Sequence, residues 1–104
     1  MQVQVNTDHN ITGRDELNSR IEAVVTTTLE RFGDQVTRVE VHLTDENSHK
    51  PGANDKRCAM EARLSGLKPI AVTHHGASLD QAIDGAADKL EKAIAATLGR
   101  LRDR

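Results

Sequence analysis

The chain is almost devoid of aromatic residues: Phe32 stands alone, with no Trp and no Tyr. That removes the stacking platform on which many proteins grip single-stranded nucleic acid. It also removes the aromatic anchors that dominate many protein interfaces. Cys58 is the only cysteine, which excludes an internal disulfide framework and any multi-cysteine zinc site. No uninterrupted apolar run approaches the ~20 residues that span a bilayer, so no membrane partner is expected. The opening Met1-Gln2-Val3-Gln4-Val5-Asn6 lacks the basic and apolar regions of a signal peptide. The expectation is a cytoplasmic protein.

What is present suits one domain, spanning residues 1–104. Hydrophobic residues make up 37% and charged residues 29%, with a net charge of -2. The charge is unevenly spread. Through Asn47, nine acids face four arginines (-5), and from Ser48 onward ten Lys/Arg face seven acids (+3). A polyanion is therefore met by the second half of the chain, if by either.

Gln2 to Asn6 alternates, with Val3 and Val5 on one face: a short strand. After the turn-like Asn10-Ile11-Thr12-Gly13, Leu17, Ile21, Val24, Val25, Leu29 and Phe32 follow helical spacing. Thr12 is placed to cap that helix, and Gly33 to end it. Val39, Val41 and Leu43 alternate with Glu40, His42 and Thr44, a half-buried strand. Asp45 to Asp55 forms a long hairpin loop. Cys58, Met60, Ala62 and Leu64 then point inward, opposite Arg57, Ala59, Glu61 and Arg63. Past the Ser65-Gly66 turn, Lys68 to His75 gives a last strand with Ile70 and Val72 inward. Pro69 cannot donate to a ladder, so this strand starts or lies on a sheet edge. A second helix, capped by Ser78, carries an apolar stripe from Leu79 through Ile83, Leu90 and Ile94 to Leu101. Gly99 is expected to fray its last turn.

The order β-α-β-β-β-α, with one apolar face per strand, predicts an α+β fold. Its economical form is a four-stranded mixed sheet with two helices packed on one face. The first two strands are joined by a parallel crossover and the rest by antiparallel hairpins.

Three stretches are similar to a known family. They are the opening strand with Ile11-Thr12 and a helix ending Leu29-Glu30-Arg31-Phe32, the Val36 to Leu43 strand, and Ser78-Leu79-Asp80-Gln81-Ala82-Ile83-Asp84 followed by Asp88-Lys89-Leu90-Glu91-Lys92. Together the chain resembles the ribosome hibernation promoting factor family, also called ribosome-associated inhibitors or ribosomal subunit interface proteins. The resemblance implies a fold like a double-stranded-RNA-binding domain. It implies a non-enzymatic translation regulator that binds the small ribosomal subunit where messenger and transfer RNA sit. Idle ribosomes are silenced there under stress and in stationary phase. Basic side chains contact ribosomal RNA phosphates, a mode that needs no aromatic platform. Lys89 and Lys92 fall on positions where the family's last helix is basic, and Arg100, Arg102 and Arg104 stand in its usually lysine-rich tail. The chain departs from the family in the neutral Ala95-Ala96-Thr97-Leu98-Gly99 and in the acidic first helix (Glu16, Glu22, Glu30).

Lys56, Arg57, Arg63 and Lys68 join those five as candidate RNA-binding residues, because all lie in the basic half. Arg57 and Arg63, on the open side of the sheet, form a second patch with Arg38 or are neutralised by Glu40 and Glu61. No metal site is expected: His74 and His75 are adjacent on a strand and diverge, as do His42 and Cys58. No P-loop, GxGxxG or nucleophile elbow is present, so no cofactor and no small-molecule substrate are expected. A weak homodimer is compatible with the sequence. The alternative to a ribosome binder is a small protein-interaction module that keeps the fold without the RNA surface.

Overall fold

A computed structural model of the chain describes residues 1–8, 11, 13–46 and 55–102. Strand β1 (Gln2–Thr7) leads to helix α1 (Arg14–Leu29) and a 3-10 segment (Glu30–Gln35). Then come β2 (Val36–Asp45), β3 (Lys56–Leu64), β4 (Ile70–Gly76) and helix α2 (Leu79–Arg102). The sheet order is β1-β2-β3-β4. β1 runs parallel to β2, and the other two pairs are antiparallel. This is the expected α+β architecture.

Alternation along the strands decides which face is covered. Val39, Val41 and Leu43 on β2, and Cys58, Met60, Ala62 and Leu64 on β3, are all buried. They share one core with Leu17, Ile21, Val25 and Leu29 of α1 and Ile83, Leu90 and Ile94 of α2. Burying each such Leu or Ile contributes about 1.5–3 kcal/mol. Val3, Val5, Ile70 and Val72, expected in the core, are only half-buried. They sit on the two edge strands, where one flank has no neighbouring strand to cover it.

The two helices run parallel. Arg20 meets Asp80 at 3.0 Å and Arg31 meets Glu91 at 3.4 Å. The spacing is eleven residues on each side (31 − 20 and 91 − 80), about three turns. Both N-terminal ends therefore lie at one end of the sheet and both C-terminal ends at the other.

Several boundaries differ from expectation. The N-cap of α1 falls on Gly13, at φ 68° and ψ 40°, without a side-chain cap. Thr12, the expected cap, lies outside the described residues. The α-helix stops at Leu29, so Phe32 lies in the 3-10 segment, where Gly33 takes φ 56° and ψ −131°. Side chains are strongly disfavoured in that region. β4 begins at Ile70, leaving Lys68 outside the ladder, because Pro69 has no N–H to offer.

At the start of α2 the Ser78 Oγ accepts from the Gln81 N–H at 3.1 Å, as a cap should. The Gln81 side chain in turn accepts from the Ala77 N–H at 3.0 Å. At the other end the helix passes Gly99 without fraying and continues to Arg102. Leu101, expected on the apolar stripe, is 41% exposed. Twenty-four residues of helix span about 36 Å, whereas the seven of β4 span about 23 Å. The last turns outrun the sheet that would cover them.

Candidate nucleic-acid interface

The expected cations fall into three places. The first is the end of α2. Arg102 lines a cleft of about 620 Å³ with Arg31, Phe32, Gln35 and Leu98. Arg100 lines a second, of about 660 Å³, with Lys68, Pro69, Ile70 and Thr97. Leu101 borders both. Among the residues lining these two clefts there are four cations and no carboxylate. Arg31 is held by Glu91 and lies over the Phe32 ring, 4.7 Å from its centroid. The Arg100 guanidinium donates to the Thr97 hydroxyl at 3.3 Å, which aims it along the helix. Arg104 lies outside the described residues.

Arg31 escaped the sequence reading. It sits in the acidic half of the chain, so a tally by halves discounts it. The parallel helices carry it to the basic end. Position at the foot of an amphipathic helix, four residues from the closing Gln35, is the only local signal, and it is weak.

The second place is the middle of α2. Lys89 donates to the Thr73 carbonyl at 2.9 Å, tying the helix to edge strand β4. Lys92 pairs with Asp88 at 3.0 Å one turn back and stays 76% exposed. Such surface pairs hold a side chain loosely, at about 0–1 kcal/mol.

The third is the sheet. Arg57 and Arg63 do project from its open face, with Arg38. Arg38 pairs with Glu40 at 2.8 Å and Arg63 with Glu61 at 3.7 Å. Neutralisation therefore runs along each strand, whereas Glu40 and Glu61 oppose each other across it. Lys56 is otherwise engaged. Its ammonium meets Asp55 at 2.8 Å and Asp45 at 3.4 Å. The hydrogen bond to Asp55 and the pairing with Asp45 raise its pKa above 10.5 despite some desolvation.

The two ends of α2 carry opposite charge. Asp15 and Glu16 occupy the first turn of α1 and Asp80 the first turn of α2, while Arg100 and Arg102 occupy the last turn of α2. Each set suits the helix dipole locally. Because the helices are parallel, the acidic first turns share one end, and Arg100 and Arg102 lie at the other with Arg31, Glu30 and Asp34 of the 3-10 segment.

The histidines diverge as their strand positions require. His75 meets Glu46 at 3.0 Å on one face, and His74 lies against Gly85 of α2 on the other. His42 is 52% exposed on the open face, while Cys58 is fully buried, its thiol pushed up to about 12 by burial. Among the described residues no three His, Cys, Asp or Glu side chains are grouped to hold a metal ion. No described helix is long and apolar enough to cross a membrane.

No curated protein sequence matches the chain. Several solved structures share the fold. The N-terminal domain of Protein Y from Thermus thermophilus superposes with a TM-score of 0.70 at 21% identity, covering 90% of this chain and 96% of that one. A ribosomal subunit interface protein from Coxiella burnetii gives 0.71 at 13% identity, covering 95% and 99%. At those identities the likeness is one of fold. The family model described as sigma-54 modulation protein / S30EA ribosomal protein matches residues 4–102. With nearly the whole chain covered by that match, the protein belongs to the sigma-54 modulation protein / S30EA ribosomal protein family.

Proposed function

We propose that the protein is a non-enzymatic translation regulator that binds the small ribosomal subunit through ribosomal RNA. It occupies the decoding channel and inactivates ribosomes under stress. The carrying observation is the end of α2, where Lys68, Arg100, Arg102 and Arg31 line two adjacent clefts without a carboxylate among the lining residues. A pI near 6.2 is compatible with this, because no carboxylate is among the residues that line the two clefts. RNA phosphates meeting the basic end release counterions and keep the acidic end of α1 at a distance. The family description and the likeness to a ribosomal subunit interface protein from Coxiella burnetii support a ribosomal partner.

Within the expected set, the contact surface is best assigned to Arg100, Arg102 and Lys68, with Arg31 added and Lys92 at the margin. Lys56 and Lys89 are committed to partners inside the domain. The test is sedimentation of a stationary-phase lysate on a sucrose gradient. The protein should travel with small subunits at low salt and return to the top at high salt. Protein found only at the top at low salt contradicts the reading.

A further inference from the structure

The open face of the sheet carries its charge in bands. Arg38 and Arg63 are register partners across β2 and β3, and so are Glu40 and Glu61 two residues further along β2. One row is therefore doubly positive and the next doubly negative. Gln2 extends the first row onto β1, and Gln4 and Ala71 extend the second onto β1 and β4, all without charge. Like charges directly opposite each other are unfavourable in an antiparallel pair. Arg38 also donates to the neutral Gln4 Oε1 on β1, but the charged relief is along the strands, through Arg38–Glu40 and the longer Arg63–Glu61 contact. It is incomplete: the Arg38 Nε finds no acceptor among the described residues.

We infer that this face is a docking surface for a second copy of the chain. Successive rows lie about 7 Å apart, twice the rise of a strand residue. A two-fold axis in the plane of the interface, parallel to the rows and midway between them, exchanges the two. It places each Arg38/Arg63 row over the partner copy's Glu40/Glu61 row, and the reverse. The patch is thus self-complementary, as a two-fold interface requires. Every arginine gains a second carboxylate, and every row loses its uncompensated repulsion. The neighbouring surface permits approach, since Ala59 and Thr73 floor a shallow hollow of about 250 Å³ beside His42 and Arg57. The face is small and polar, so the pairing is weak and reversible. It is separate from the clefts at the end of α2 and independent of ribosome binding.

The experiment is sedimentation velocity on the whole chain at about 0.01 M salt, where charges act over ~30 Å, and at about 1 M, where they act over ~3 Å. The wild type should dimerise at low salt and dissociate at high salt. Two row-reversed variants make the face uniform: Glu40→Lys/Glu61→Lys is all positive and Arg38→Glu/Arg63→Glu all negative. Each alone should be monomeric, and an equal mixture should form a heterodimer at least tenfold tighter than the wild-type pair. Should either reversed variant fail to fold, Glu40→Gln/Glu61→Gln keeps the shape and should weaken the wild-type dimer at least tenfold. A wild type that stays monomeric at low salt overturns the inference, and so does a mixture that does not associate. A monomeric wild type whose Arg38→Glu/Arg63→Glu variant loses ribosome binding would instead assign the face to RNA.

Discussion

The imidazole of His74 fills the gap that Gly85 leaves on α2. A Cβ at residue 85 would sit 2.1 Å from the His74 Cδ2 and 2.3 Å from its Nε2. Beside it Ala82, Ala86 and Ala87 are buried. Small residues thus bring the helix close to the sheet, and the one bulky ring on that part of β4 is met by a missing side chain.

Gly85→Ala should therefore destabilise the domain. Overpacking typically costs 1–3 kcal/mol, against about 1 kcal/mol gained by replacing a helical glycine. A net loss of about 1 kcal/mol is expected, read as a lower urea midpoint at unchanged slope. His74→Ala combined with Gly85→Ala should recover most of it. Equal losses in the single and double variants would separate the two residues.

Cys58 should be inert while the protein is folded. An ordinary thiol has a value of 9.0, whereas burial raises this one to about 12. At pH 9.0 the unfolded thiol is half ionised and the folded one about one part in a thousand. Alkylation by iodoacetamide at that pH should need urea. Rapid modification of the native protein would contradict the packing of β3 against the helices.

Lys56 links the two ends of the β2–β3 hairpin through Asp45 and Asp55. Its pKa is raised on folding, chiefly by the hydrogen bond to Asp55. Such a group stabilises below its unfolded value and loses that contribution as pH rises through the folded one. The stability gap between wild type and Lys56→Met should hold up to about pH 10.5 and narrow above it. Urea titrations across that range measure it; Cys58, common to both proteins, cancels. A gap independent of pH would deny the ion pairs their role.

The strands were legible because each has one apolar face: Val39-Glu40-Val41-His42-Leu43 declares both its period and its orientation. Pro69 told correctly of an edge, since it has no N–H to give. Less could be read where the cause is not local. That Val3 and Ile70 are half-buried depends on strand order. Leu101 emerges because α2 outlasts β4, a comparison of two lengths that no single segment contains. For the candidate site the loss is larger. Lys56 and Arg63 look equivalent as letters, yet one is enclosed by two aspartates and the other is 57% exposed. Arg31 joins Arg102 only because the two helices are parallel, a relation set by the sheet between them.

The most direct test of the account is equilibrium binding of the purified protein to isolated small ribosomal subunits over a range of salt. Each phosphate contact contributes a log–log slope of about -0.7 to -0.9. Arg100→Glu/Arg102→Glu should weaken binding and flatten the slope by about that amount for each cation lost. Glu16→Lys/Glu22→Lys, on the acidic helix, should leave binding unchanged or strengthen it. Affinity and slope unchanged by the arginine reversals would contradict the assignment of the interface to the end of α2.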